Sequence, residues 1–319
     1  MGRIAPLSRD SVDLAAARRF LVEKFGEGVE MGADLPQGEW SRAYAFRHGE
    51  RDLVVRFNPD RQSFDVDLLA LRFASPALPI PAVLEVGESP GGYYAISERA
   101  FGDFLEDLPP ERMEATVPSL LATLDALRTA DTSASTGFGP WDGNGDGRNS
   151  TWAGFLLAVE GGIPEAFRTT WRGELARSRL AETAFDEGMR ELGRLARRCP
   201  NQRGLVHSDL LNRNAFVSGA RITALIDWQC ALYGDHLYEL AWFTFWAPWS
   251  PGIAAAGLRD RALNHWRAAG VDLTDVDLRL RCYEIRIGVA HLVYNAWRRD
   301  LPNLEGTARR TVEVLQTGK

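Results

Sequence analysis

The stretch "LVHSDLLNRNAFVSGARITALIDW", residues 205–228, sets His207, Asp209, Asn212, Asn214 and Asp227 among residues that otherwise belong in a core. Its entry "LV" and its continuation "AFV" are apolar, so residues 207–214 read as a loop between buried elements, and "ITALIDW" reads as an apolar strand that delivers Asp227 at its end. Polar groups are costly to bury without partners, so such a cluster points to chemistry. Two carboxylates and one amide oxygen near one point are what phosphoryl transfer from a nucleotide needs. One carboxylate accepts or orients the hydroxyl proton, and hard oxygen ligands hold the magnesium that bridges the phosphates. Asp209 fits the first role; Asn214 and Asp227 fit the second. His207 reads as a core histidine bonded to backbone, without a catalytic part, and Asn212 as a loop residue. Further on, "YGDHLYELA" (233–241) puts Asp235 and Glu239 four apart on one helical face. Asp235 is expected to brace the loops, and Glu239 to face solvent or serve the structure.

Upstream, the periodicity changes character along the chain. "SVDLAAARRFLVEKFG" (11–26) has the spacing of an amphipathic helix, with Ser11 able to cap its start and Gly26 its end. After Pro36, Tyr44 and Phe46 alternate with Ala43 and Ala45, and beyond a polar break at Gly49 "LVVRF" (53–57) completes a hairpin. "FDVDLLALRFAS" (64–75) is a short helix that "PALPIP" stops, and "AVLEVG" and "YYAIS" form two more strands around "ESPGG". Residues 1 to about 97 thus give a helix, four strands and a helix. From Glu111 the chain becomes mostly helical, with Leu120, Leu121, Leu124 and Leu127 in one helix and a longer helical stretch from about Pro164 to Arg198. "SERAFGDF" (97–104), short and carrying Gly102, suits a hinge. The expected organisation is α+β in two lobes, 1–101 and 102–319. The glycine-rich "STGFGPWDGNGDGRNSTW" (135–152) matches neither the dinucleotide fingerprint nor the phosphate loop of nucleotide triphosphatases, and reads as a surface loop.

Composition excludes several classes. With 319 residues, 45% apolar and 25% charged, the chain can bury a sizeable core and is not disordered. A formal charge of −6 gives no basic footprint for nucleic acid and suits a small cationic ligand. Cys199, Cys230 and Cys282 lie far apart, with neither a disulfide framework nor zinc-site spacing, which fits a reducing compartment. The N-terminus lacks a signal-peptide core and no apolar run is long enough to span a bilayer. The expectation is a cytoplasmic monomer.

The pattern H-x-D-x-x-x-x-N at 207–214, followed by "IDW" and "YGDHLYELA", resembles the aminoglycoside phosphotransferases, which share the protein kinase-like fold. "VEKFG", "GEWSRAYAF", "RFASPALPIPAVLEVGE", "STGFGP", "LVHSD", "RITALIDW" and "FWAPW" stand in the order of the hygromycin B group of that family, so the resemblance covers nearly the whole chain. It implies ATP and Mg2+ as cofactors, with ATP versus GTP left open. It also implies a positively charged residue on the third strand for the phosphates, here Arg56 where kinases place lysine, paired with an acidic residue on the following helix. Asp67 takes that place, with Asp65 in competition. Gly38 and Ser41 in "QGEWSRAY" would cover the phosphates, and the hinge would hold the base through main-chain groups near Glu98 and Ala100. "HSD" departs from the family's commoner H-G-D.

For the acceptor, Trp242, Trp246 and Trp249 recur at helical spacing, a stripe that by itself reads as core packing, although Pro248 interrupts the helix and should turn its end toward the cleft. The resemblance assigns Trp246 and Trp249 to the antibiotic site and makes Tyr294 and Asn295 further candidates. Asp131 is a candidate partner for an ammonium group and equally a turn residue. The implied function is ATP-dependent phosphorylation of an aminoglycoside hydroxyl, hygromycin B first. A small-metabolite kinase for choline, homoserine or a sugar is the alternative, and a nucleotide-binding pseudokinase is a third reading that intact Asp209, Asn214 and Asp227 argue against.

Overall fold

A computed structural model describes residues 12–38, 41–161 and 169–317. Helix α1 (Leu14–Phe25) starts at Asp13, whose carboxylate accepts the Ala16 amide at 2.7 Å, and ends at Gly26, where φ is +86°. Ser11, the expected cap, lies outside the described residues. Strands β1 (Val29–Met31), β2 (Arg42–His48) and β3 (Arg51–Asn58) precede helix α2 (Gln62–Ala70), and β4 (Val83–Ser89) and β5 (Gly92–Glu98) follow it. They form one antiparallel sheet in the order β1-β2-β3-β5-β4. Five strands stand where four were expected, because β1 is only three residues long and too short to show alternation. Ala17 and Leu21 of α1 pack on Phe46, Val55, Tyr94 and Ile96 of this sheet in a core of their own.

Helix α2 does not join that core. Val66 and Ala70, with Phe73 just beyond the helix, belong to the much larger cluster of the following lobe. The small lobe is thereby pinned to the large one at the point where an acidic residue of α2 is wanted.

The large lobe opens with β6 (Asp103–Phe104) and α3 (Pro110–Thr129), then β7 (Phe138–Trp141), β8 (Gly147–Asn149), α4 (Trp152–Leu157), α5 (Trp171–Leu175) and α6 (Arg179–Leu195). Strands β9 (Gly204–Val206), β10 (Ala215–Ser218), β11 (Arg221–Leu225) and β12 (Leu232–Gly234) come next. Helices α7 (Leu237–Trp246), α8 (Pro251–Ala255), α9 (Leu258–Ala268), α10 (Val276–Arg298) and α11 (Leu301–Gln316) close the chain. Two small sheets result, β11-β10-β6 and β8-β7-β12-β9. The glycine-rich stretch 135–152 is therefore not a plain loop. It contains the β7 and β8 hairpin and ends on Thr151, which caps α4 by accepting the Gly154 amide at 3.0 Å. Among the described residues, the expected long helix near 164–198 is divided into α5 and α6, with α6 capped by Ser178; Pro164 lies outside them. At the hinge, Gly102 has φ +139°, and a Cβ there would sit 2.6 Å from the Val217 carbonyl oxygen of β10, so a larger residue would push the hinge off the sheet.

Among the described residues no helix is long and apolar enough to cross a membrane. The three cysteines are free.

Candidate active site

Strand β9 belongs to one small sheet and β10 to the other, so the loop between them, residues 207–214, spans both. Its ends are fixed by buried groups. The His207 ring Nε2 lies 3.0 Å from the Ile226 carbonyl and meets the Trp228 ring edge-on at 4.6 Å. Burial holds this imidazole neutral by lowering its pKa to about 4. A carbonyl only accepts, so Nε2 carries the proton. Glu239, far from facing solvent, is buried; its Oε2 accepts the amides of His207 at 2.7 Å and Ser208 at 3.0 Å. Burial raises the Glu239 carboxyl to about 7, partly opposed by those two amides. Asp235 is buried as well. It takes a bidentate bond from Arg279, both contacts at 2.8 Å, and accepts the Tyr283 hydroxyl at 2.5 Å, which braces α10 beneath the loop.

Five described non-glycine residues have left-handed φ, and three of them mark this site: Ser208 (+58°), Arg213 (+60°) and Asp227 (+58°). Asp209 follows the first, Asn214 follows the second, and Asp227 is itself the third. Backbone conformations of this kind cost free energy and persist where surrounding bonds over-determine them. The turn at Asp227, just past the end of β11, is one such case: Ile226 donates its amide to the Asn214 carbonyl at 2.8 Å, which ties the two segments together.

Asp209, Asn214 and Asp227 come together as the spacing suggested. Asn214 donates Nδ2 to the Asp209 carbonyl at 2.8 Å and to its Oδ2 at 3.2 Å, and Asn212 reaches the same oxygen at 3.4 Å. Asn212 is thus a weak second support for the carboxylate. Burial raises the Asp209 carboxyl to about 8, reinforced by the charge of Asp227, opposed by the Asn212 bond, and raised further by Glu239 and Glu106. Burial also raises Asp227, with Asp67 adding to the effect and Arg56 and the Gln229 amide opposing it. Two carboxyl groups that disfavour each other's ionisation are a place for a cation. No group of three or more His, Cys, Asp or Glu able to hold a metal occurs among the described residues. Magnesium does not need one: it takes one or two protein oxygens and completes its shell with phosphate and water. Asn214 spends its nitrogen on Asp209 and leaves its amide oxygen, which with the Asp227 carboxylate fits that donor set.

Arg56 in β3 pairs with Asp67 of α2, and its guanidinium lies 5.3 Å from the Phe64 ring. Asp65 pairs instead with Arg61 at 3.2 Å. Gln37 bonds both the carbonyl and the amide of Ala43, at 2.9 and 3.2 Å. A Cβ on Gly38 would sit 3.3 Å from the Ser41 hydroxyl, so the two residues are in close approach. At the hinge, the Glu98 amide is spent on the Ala82 carbonyl at 3.0 Å and the Arg99 amide on the Asp52 carbonyl at 3.1 Å. No such bond is made by the Ala100 amide among the described residues, so it is a hinge donor that stays available.

Of the acceptor candidates, Trp246 ends α7 and Trp249 lies in the 3-10 turn after it, with ring centroids 5.3 Å apart. Trp249 is half exposed. Trp246 also meets His291 at 4.8 Å, and Tyr294 lies one turn along α10, 6.4 Å from His291. Asn295 does not share their face. One residue on from Tyr294, it is buried and donates to Thr307 of α11 at 3.1 Å. Asp131 is exposed and caps a turn by accepting the Ser133 amide at 2.9 Å, the local role weighed against ammonium binding. Sequence reasoning passed over Glu106. Its carboxyl accepts the Arg213 amide, keeps Oε2 unpartnered and buried, and helps raise the Asp209 carboxyl, while its backbone carbonyl accepts the Ser250 hydroxyl of the tryptophan turn at 2.5 Å. No motif surrounds it; only the tertiary path of the chain from β6 brings it here.

Comparison with known proteins bears on the family and the fold. The model of APH, the phosphotransferase enzyme family, matches residues 33–270. The hygromycin-B 4-O-kinase of Escherichia coli is 36% identical over 290 residues, spanning 90% of this chain and 80% of that protein. The crystal structure of aminoglycoside phosphotransferase APH(4)-Ia superposes with a TM-score of 0.83 at 33% identity, covering 96% of this chain and all of that one. A thermostable mutant of the same enzyme, in a ternary complex with AMP-PNP and hygromycin B, gives 0.79 at 34% identity, over 94% and 98% of the two chains. The mixed architecture, an antiparallel sheet lobe and a helical lobe, is their kinase-like fold.

Proposed function

We propose, since the chain belongs to the APH phosphotransferase enzyme family, that it transfers the γ-phosphate of ATP to a hydroxyl of hygromycin B and so inactivates the antibiotic. The observation that carries this reading is the Asn214 side chain. Its nitrogen holds Asp209 through two bonds and leaves its oxygen to a metal, while its carbonyl takes the amide of Ile226, the residue before Asp227. The relatives described above include a hygromycin-B 4-O-kinase and an enzyme caught with a nucleotide analogue and hygromycin B, which supports the same acceptor.

In this reading Asp209 orients the acceptor hydroxyl and takes its proton, and a cation held at Asp227 would offset the charge that, after burial, helps keep the Asp209 carboxyl raised. Asn214 and Asp227 would hold Mg2+, which would supply positive charge against the phosphates. Arg56, kept in place by Asp67, clamps phosphate oxygens, and Gly38 and Ser41 cover them. The hinge holds the base through the Ala100 amide next to Glu98. Residues 1–101 and 102–319 act as the two lobes around this cleft. Trp246, Trp249 and Tyr294 offer flat faces to sugar rings, and Glu106 offers a carboxylate to an ammonium group; Asp131, exposed and with only one oxygen on the Ser133 amide, offers another, while the Asn295 amide is spent on Thr307. The protein works as a cytoplasmic monomer on a small cationic substrate.

A coupled ADP-release assay with ATP or GTP across hygromycin B, kanamycin, choline and homoserine tests this. We expect turnover with hygromycin B and little with the others. ADP release with choline and none with hygromycin B would overturn the acceptor and leave the phosphotransfer chemistry standing.

A further inference from the structure

We infer that the Ser208 hydroxyl is a positioning group: by binding the Cys230 carbonyl it sets the spacing between the catalytic loop and the turn that carries Asp227. Ser208 is buried and left-handed, at φ +58°, a conformation that glycine adopts without penalty and serine does not. A serine kept there needs a compensating bond, and it has one. Its hydroxyl donates to the Cys230 carbonyl at 2.6 Å, while its amide donates to Glu239 at 3.0 Å. The residue is thus fastened on one side to α7 and on the other to the segment three residues past Asp227.

The position of this bond gives it a consequence. Asp209 is the next residue after Ser208 and Asn214 lies in the same loop, whereas Asp227 and Cys230 lie in the other segment. The Ser208 bond therefore crosses between the two metal-side oxygens, one in each segment. It ties the segment of Asp209 to the segment of Asp227 without itself occupying the site. The Ile226 amide on the Asn214 carbonyl is one such tie, at the far end of the loop. The Ser208 hydroxyl supplies the other, at the near end, and with both in place the loop cannot pivot away from Asp227. Glycine at 208 would relax the backbone and lose the tie; alanine would keep the unfavourable φ and lose the tie.

The inference rests on the phosphotransferase reading of this site but not on the identity of the acceptor. The test compares wild type, Ser208→Gly and Ser208→Ala in three measurements: thermal unfolding, affinity for ATP with and without magnesium, and kcat against acceptor KM. Ser208→Gly should unfold at or above the wild-type temperature and yet lose about tenfold in Mg-ATP affinity and in kcat, as outer supports of a metal site do. Metal-free ATP affinity and acceptor KM should stay within about twofold of wild type. Ser208→Ala should show the same functional losses with a lower unfolding temperature. A purely structural serine would move stability and activity in the same direction. If Ser208→Gly keeps both Mg-ATP affinity and kcat within about twofold of wild type, the inference is overturned. If wild type fails to use hygromycin B, the binding measurements still decide the matter.

Discussion

Asp67 accepts the Trp228 amide at 3.0 Å with one carboxylate oxygen and pairs with Arg56 through the other. A single side chain on α2 of the small lobe thus holds both the phosphate-side guanidinium and the residue that follows Asp227. Asp67→Ala should raise KM for ATP and lower kcat together, by about ten- to a hundredfold in kcat/KM, because nucleotide clamp and metal turn loosen at once. Asp65→Ala, which removes only an exposed pair with Arg61, should stay near wild type. Steady-state kinetics of the two variants check this; equal effects from both would refute the bridging role of Asp67. Arg56→Lys should recover only part of what Arg56→Ala loses, since the planar fork is gone.

Asp209→Asn should abolish turnover by about a hundredfold or more while ATP still binds, because Asn214 and Asp227 remain to hold the metal. Asp227→Ala should do the converse and remove magnesium-dependent nucleotide binding. Calorimetry with Mg-ATP separates the two. Turnover of Asp209→Asn within threefold of wild type, a margin well inside the effects of roughly a hundredfold usual for a lost general base, would remove Asp209 from the reaction.

Glu239 gives a prediction in pH. Its folded-state carboxyl is raised to about 7, above an unfolded value near 4.5. A raised acid contributes stability that is fully present below the unfolded pKa and is lost as pH rises through the folded one. Wild type should therefore lose ground against Glu239→Gln between about pH 4.5 and 7, by roughly 1 to 3 kcal/mol at the upper end. The glutamine keeps an oxygen for the His207 and Ser208 amides, so the loop stays in place. Urea unfolding of both proteins at pH 5 and pH 8 checks the sign; a gap that widens toward acid would contradict it.

The catalytic set was legible because local sequence carries it. Asp209 and Asn214 are five residues apart in one loop, and Asp227 ends a strand whose apolar pattern is plain. The Arg56 and Asp67 pair was legible only as one of two choices: Asp65 and Asp67 are two apart, on different faces of α2, and the packing of Val66 and Ala70 on the large lobe decides which one turns inward. For Glu239 the sequence leaves a solvent-facing and a structural role open, because an acidic residue on a helix says nothing about the two amides aimed at it; the structure shows the second. Strand β1 was invisible at three residues, and the glycine-rich stretch hid a hairpin because its strands are as short. Glu106 and the Ser208 tie had no local signal at all. Both depend on contacts between segments far apart in the chain, at sequence separations of 107 and 22 residues.

The acceptor face gives the last prediction, and its residues differ in what they have left to offer. Trp249 is half exposed and touches Trp246, so its ring can stack on a sugar without repacking the core. Trp246 packs on Phe245 and His291 at 4.8 Å each, so its removal should cost stability as well as binding. Trp249→Ala should raise KM for hygromycin B about tenfold, with KM for ATP within twofold. Glu106→Gln should raise the acceptor KM in the same way, and more strongly at low salt, because it removes a charge facing a cation. Asn295→Ala is the control: its amide bonds Thr307, so the unfolding temperature should drop and the acceptor KM should not move. If Trp249→Ala binds hygromycin B as well as wild type does, the tryptophan turn is packing at the rim and the sugar rings lie elsewhere in the cleft.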